Sequence, residues 1–174
     1  MKNIISVRGY TPQVGKECFV ALSANIIGDV VIGDYCSVWF QAVIRGDVNA
    51  IRIGDNTNIQ DGAIIHCTYE QAATHIGKQV SIGHRAIVHG CTLEDQVMVG
   101  MGAIVMDHAV VQSGAMIAAG AVILENTVVE ANSIYAGVPA RKVKTVDKDN
   151  RAMMERIADN YTKYAGWFKN SDTF

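Results

Sequence analysis

Residues 99–129 read VGMGAIVMDHAVVQSGAMIAAGAVILENTVV, and every sixth position, Val99, Val105, Val111, Ile117, Ile123 and Val129, is Val or Ile. Four residues after each comes a small second side chain: Ala103, Ala109, Ala115, Ala121, Thr127 and Ser133. A helical period of 3.6 does not generate this pattern, and neither does plain strand alternation. The same step extends N-terminally through Val14, Val20, Ile26, Ile32, Val38 and Ile44. After a step of nine come Ile53, Ile59 and Ile65; after eleven, Ile76, Ile82 and Val88; a step of five reaches Leu93. The second positions of these hexads are Cys18, Ala24, Val30, Cys36, Ala42, Val48, Thr57, Ala63, Tyr69, Val80, Ala86, Thr92 and Val97. Only Tyr69 is neither small nor β-branched.

A six-residue unit with one aliphatic and one small inward side chain predicts an all-β solenoid. Each hexad is a short strand and a turn, and three hexads close one coil. Coils then stack at the ~4.8 Å spacing of paired strands. The composition agrees: 21 Val and 19 Ile stand against 3 Leu among 174 residues. Such β-branched side chains fit a pleated surface better than a helix. The eleven-residue step, through Cys67–His75, has to bulge out as a loop. Beyond Pro139 the hexads stop, and residues 147–168 read as one amphipathic helix with Asp147 or Asp149 as N-cap. The expected division is a hexapeptide-repeat β-helix with an N-terminal cap over 1–145, then a helix and tail over 146–174. The helix is expected to lie along the solenoid as a lid or an oligomer contact, with the tail after Phe168 fraying.

The net charge of −2 gives no basic footprint for nucleic acid. No apolar run reaches the ~18 residues that span a bilayer, and the N-terminus lacks the apolar stretch of a signal peptide. A cytoplasmic protein with four reduced cysteines is the expectation. Cys18 and Cys36 read as small core fillers on adjacent coils.

Every third hexad shares a face, so the hexads at Ile44, Ile65 and Val88 are stacked. Their next residues are Arg45, His66 and His89, which puts the two histidines one strand spacing apart, ~4.8 Å at Cα. Two imidazoles so placed can converge on one tetrahedral metal. His84 and Asp61 fall on the neighbouring face, up to ~16 Å from His89 along an extended chain. His84 therefore does not complete the same shell within its own chain. A rotationally symmetric partner can supply it, and a cyclic homotrimer with three split sites is the simplest closed arrangement.

The segments Arg45-Gly46-Asp47, Asn58-Ile59-Gln60-Asp61-Gly62, Ile65-His66, Ile82-Gly83-His84 and His89-Gly90-Cys91 resemble those of the gamma-class carbonic anhydrases. The resemblance covers the repeat region, residues 10–140, and implies a left-handed β-helix, a handedness the hexads do not reveal. It implies a homotrimer binding zinc, or iron or cobalt, between subunits, with His66, His84 and His89 as ligands. It further implies that Arg45 and Asp47 form a salt bridge near the site and interface. Gln60 and Asp61 correspond to residues that position the metal-bound water, and Asn58 to a polar residue lining the same cavity. The implied reaction is reversible hydration of carbon dioxide to bicarbonate by a metal-bound hydroxide. Three neutral imidazoles suit it, because they leave the metal charge uncompensated and one coordination position open.

Well-characterised members carry a glutamate directly after the Arg-x-Asp segment and another in an acidic loop after the first histidine. Here Val48 holds the first place and Glu70 is the acid near the second, leaving Glu70 and His75 as alternative proton relays. Cys67 and Cys91 lie near the histidines as soft-ligand alternatives. Other readings of the solenoid are a hexapeptide-repeat acyltransferase using acyl-coenzyme A, a related metal-dependent thioesterase or hydrolase, and a non-catalytic trimeric scaffold. An acyltransferase would use a lone histidine as base, and this chain lacks the long insertions such enzymes often use.

Overall fold

The computed structural model describes residues 3–169, and three columns of aliphatic side chains organise it. Val14, Ile32, Ile53, Ile76, Leu93, Val111 and Val129 pair in register up one face, one residue per coil. Val20, Val38, Ile59, Ile82, Val99 and Ile117 form the second column. Ile26, Ile44, Ile65, Val88, Val105 and Ile123 form the third. All these pairings are parallel. Every member is buried except Val14, which is half-buried at the N-terminal end. The result is a hexapeptide-repeat β-helix of seven coils.

At one corner the inward positions differ from those the six-residue step predicts. The column above Val30 continues with Ile51, Thr74 and Cys91, not Val48, Tyr69 and Thr92. Ile51, Thr74 and Cys91 are buried, whereas Tyr69 is exposed and Thr92 faces outward beside His75. The cause is chain length. The nine-, eleven- and five-residue steps all fall at this corner, so the count from the preceding aliphatic no longer locates the inward residue. Thr74 makes good the disturbed ladder: its hydroxyl donates to the His66 carbonyl at 2.6 Å and accepts from Gly90 N at 2.9 Å.

The regular corners use a left-handed backbone. Glu17, Tyr35, Gln41, Asn56, Gln79, Arg85, Gln96, His108, Asn126 and Asn132 each follow an inward aliphatic by three residues, with φ of +52° to +59°. That conformation costs an L-residue roughly 1–2 kcal/mol. Hydrogen bonds to the coil below oppose it: Asn56 N donates to Asp34 O, Gln79 N to Asp55 O and Gln96 N to Lys78 O, at 2.8–2.9 Å.

The coils approach most closely at glycines. A Cβ on Gly54 would lie 2.7–2.8 Å from the backbone of Gly77 and Lys78, which cannot swing aside. Gly54→Ala is therefore expected to destabilise the solenoid by about 1–3 kcal/mol, the usual cost of overpacking, seen as a lower urea midpoint.

The C-terminal helix, Lys148–Lys169, begins one residue later than predicted, at a reciprocal cap. Asp147 Oδ1 accepts from Asn150 N at 2.8 Å and Asn150 Oδ1 accepts from Asp147 N at 3.4 Å. The helix runs back along the outside of the second face. Met154 packs with Met116 and Ile134 near its start, and Phe168 packs on Phe19 and Trp39 near its end. It thereby covers the outward residues of that face, including Asn58 and Gln60. The residues after Lys169, read above as a fraying tail, lie outside the described residues. The four cysteines are free thiols.

Candidate metal centre

His66 and His89 sit opposite each other on successive coils, in register, at the edge of the third face. Their rings approach through His66 Nδ1 and His89 Nε2, 3.1 Å apart. The far nitrogen of each meets a carboxylate: His66 Nε2 lies 3.1 Å from Asp47 Oδ1, and His89 Nδ1 lies 2.6 Å from Asp107 Oδ1. Arg45 holds the other oxygen of Asp47 at 2.6 Å, and the Thr68 hydroxyl donates to the other oxygen of Asp107.

Electrostatics sets the charge of both carboxylates and of His66. Burial raises the pKa of Asp47, but hydrogen bonds from Arg45 and His66 outweigh it and hold the carboxyl below its ordinary value. For Asp107, burial is likewise outweighed by hydrogen bonds from Thr68 and His89. Burial lowers His66, opposed by the Asp47 hydrogen bond, so the ring is neutral at pH 7. A neutral imidazole has one N–H. With that proton directed at Asp47, His66 presents a lone pair on Nδ1 to His89 Nε2, and the His89 proton that meets Asp107 lies on the far side of its ring. A cation or a shared proton between the two facing nitrogens reconciles the arrangement. Two imidazole nitrogens on a tetrahedral zinc stand about 3.3 Å apart, given Zn–N bonds of ~2.0–2.1 Å, so the donor pair fits a divalent metal.

His84 lies at the opposite end of the third face, where the chain turns in from the second. Asp61 Oδ2 is 3.0 Å from its Nδ1 and the Tyr161 hydroxyl is 3.1 Å from its Nε2. Burial, with the nearby charge of Asp61, pushes the Tyr161 phenol up to about 12, so it remains protonated. Gln60 Oε1 accepts from His84 N at 3.2 Å. Gln60 Nε2 in turn donates to Asn58 Oδ1 at 3.0 Å, and Asn58 Nδ2 donates to Ser81 Oγ at 2.7 Å. A buried amide chain beneath the helix thus fixes the backbone that carries His84.

The eight residues singled out from the sequence accordingly form two groups. Arg45, Asp47, His66 and His89 meet at one corner; Asn58, Gln60, Asp61 and His84 meet at another. Among the described residues, no three His, Cys, Asp or Glu side chains of one chain surround a common metal position. Between the groups runs an outward aliphatic ladder, Val43, Ile64, Ile87, Ile104 and Val122, in register on successive coils. Glu70 is exposed in the loop, and His75 points outward on the next face as the register partner of Thr92. Among the described residues, no hydrogen bond or ion pair joins either to the histidine pair. Cys67 and Cys91 are buried, and burial raises both thiols, Cys91 to about 12, which disfavours thiolate ligation.

Sequence reasoning missed Asp107, Thr68, Ser81 and Tyr161. Asp107 had a signal: it follows Val105, which stacks on Val88 one coil beyond His89. Tyr161 had none, because its partner depends on how the helix docks.

Seven stacked hexapeptide coils with a C-terminal helix place the chain among the hexapeptide-repeat left-handed β-helix proteins. It superposes on the crystal structure of a hexapeptide transferase family protein from Anaplasma phagocytophilum with a TM-score of 0.91, 38% identity, and 96% and 98% of the two chains covered. No protein-family model matches it. It is 47% identical over 151 residues to a probable carbonic anhydrase of Methanocaldococcus jannaschii, covering 87% of this chain and 94% of that one. It is 40% identical over 169 residues to mitochondrial gamma carbonic anhydrase 1 of Arabidopsis thaliana, covering 94% of this chain and 62% of the plant protein. The chain thus spans less than two thirds of the length of that relative. It belongs to the gamma carbonic anhydrase family.

Proposed function

We propose that this protein is a metal-dependent carbonic anhydrase acting as a homotrimer, with His66 and His89 of one subunit and His84 of the next as ligands. The convergence of His66 Nδ1 and His89 Nε2, 3.1 Å apart with a carboxylate on the far nitrogen of each ring, carries this reading. The preceding ladder from Val43 to Val122 supports the trimer: it is an outward β-branched stripe flanked by the two half-sites, so packing it against a neighbour brings unlike half-sites together. Zinc suits the imidazole donors, and iron or cobalt are accepted by the same set. A divalent ion held there supplies Lewis acidity that lowers the pKa of water toward ~7.

The chain's own residues do the rest. Asp47 orients His66 through its far nitrogen, which leaves Nδ1 available, and Asp61 orients His84 through Nδ1, so that Nε2 would exchange the Tyr161 hydroxyl for the metal. Arg45 fixes Asp47 and neutralises part of the carboxylate charge. Gln60, anchored through Asn58, retains an amide N–H with which to orient the reacting oxygen. Asp61 has a free carboxylate oxygen to accept from that water. Carbon dioxide is apolar, and the ladder at the subunit contact offers it an apolar approach.

The test is stopped-flow hydration of carbon dioxide by protein loaded with zinc, iron or cobalt, from about pH 6 to 9. A metal-dependent rate above buffer is expected. No rate above buffer with any of the three metals overturns the reading. The transferase name borne by the superposed structure favours one alternative, and saturable acetyl-coenzyme A binding to this protein would support it.

A further inference from the structure

We infer that Asp107, clamped by Thr68 and admitted by Gly90, is a positioning residue that directs His89 Nε2 toward the metal and raises metal affinity. This rests on the metal reading above. Asp107 comes from the coil beyond His89, and its two oxygens are divided. One accepts from His89 Nδ1 at 2.6 Å; the other accepts from the Thr68 hydroxyl, 39 residues earlier. The carboxylate therefore cannot rotate away from the ring without breaking the Thr68 bond.

Gly90 makes room for this carboxylate, as Gly15, Gly33 and Gly77 do for Asp34, Asp55 and Asp95, but here the oxygen meets an imidazole and not a backbone N–H. The φ of Gly90 is +54°, and a Cβ there would fall on Asp107 Oδ1 and lie 2.7 Å from Asp107 Cγ. A side chain at this point would press the carboxylate away from the neighbouring imidazole and also meet Ala72 Cβ at 2.8 Å. Thr68 is itself fixed by the loop that the eleven-residue step creates: Thr68 N donates to Ala72 O at 3.0 Å, closing that loop on itself. The longest interruption of the hexads thus places one hydroxyl that locks one carboxylate.

The consequence concerns the tautomer. Held by a carboxylate, His89 keeps its proton on Nδ1, and Nε2 faces His66 as a lone pair. Partners of this kind typically change metal affinity 10–100-fold when removed. An amide at 107 still has an oxygen to accept from His89, with its N–H₂ donating to the Thr68 hydroxyl, so charge is lost but orientation survives.

The experiment measures zinc affinity by chelator competition and records the visible absorption band of the cobalt form. Asp107→Ala is expected to weaken zinc binding about 10–100-fold and to change the cobalt band. Asp107→Asn and Thr68→Val are expected to fall between that variant and the native protein, with Thr68→Ser restoring native affinity. Gly90→Ala, which leaves both side chains in place, is expected to resemble Asp107→Ala. A purely structural cross-link would lower the melting temperature of the metal-free protein in these variants and leave affinity and band unchanged. Affinities within two-fold of native across the set, with an unaltered cobalt band, overturn the inference. If the native protein itself takes up neither zinc nor cobalt, the metal reading fails instead, a result that the native control alone reveals.

Discussion

His84→Ala is expected to reduce bound metal at least ten-fold, to the level set by two remaining imidazoles, while the solenoid stays folded. The side chain is 41% exposed, and its contacts are with Asp61 and the Tyr161 hydroxyl rather than the core, so its loss opens no cavity. Far-ultraviolet circular dichroism should therefore match the native protein. Metal analysis separates the two outcomes, and a native metal content would remove His84 from the ligand set. Mixing makes the split explicit. A chain with His66→Ala keeps its own His84, and a chain with His84→Ala keeps its own His66 and His89. In a cyclic trimer each mixed assembly has a single contact at which both intact halves meet. Random exchange of equal amounts should restore about a quarter of the native sites, since about three quarters of the trimers are mixed and each regains one site in three. No recovery, with subunit exchange verified by mass, would refute the shared site.

Ile65→Ala is expected to cost about 2–5 kcal/mol, the range for emptying a buried aliphatic position. Ile65 is completely buried between Ile44 and Val88, so truncation removes contacts with the coils on both sides. Ile65→Val, which keeps the β-branch, should lose only about 0.5–1.5 kcal/mol. Denaturant unfolding of the metal-free protein checks both values. Because coils contact mainly their neighbours, the transition should also broaden if the stack begins to uncouple at this level. A midpoint within error of native for Ile65→Ala would mean that the inward columns do not bear the stability assigned to them.

The inward aliphatic columns were readable from the sequence because hexads repeat and a coil takes three of them. Val14 stacks on Ile32 and Val111 on Val129, in the registers the six-residue step requires. The same step placed His66 against His89, since it needs only residue counting; it put His84 on the neighbouring face, whereas the structure has it at the far end of the third face, where the chain turns in from the second. It failed at Val48, Tyr69 and Thr92, where the chain inserts or omits residues and the inward places pass to Ile51, Thr74 and Cys91. It also gave no warning that Tyr35, Gln79 and Arg85 would adopt left-handed backbone, because at those turns the intercoil hydrogen bonds, not the residue type, settle the conformation. Asp107 was one coil beyond the motif that drew attention to His89. The Tyr161 contact with His84 depends on a docking that no periodicity encodes.

The irregular steps of nine, eleven and five residues share one corner, and that corner carries Asp47, His66 and His89. Chain closure costs only about 0.6 kcal/mol for each doubling of loop length, and this edge of the prism carries length variation that the other two edges, with uniform six-residue steps, lack. Residues added or removed there leave every strand register untouched, because the next strand re-enters at Ile51, Thr74 or Cys91 whatever precedes it. The architecture therefore uncouples two demands that usually conflict in a repeat protein, uniformity for stacking and variety for chemistry. Loop grafts between Cys67 and Ala73 are the natural place to alter what reaches the two histidines, provided that the Thr68 hydroxyl is retained.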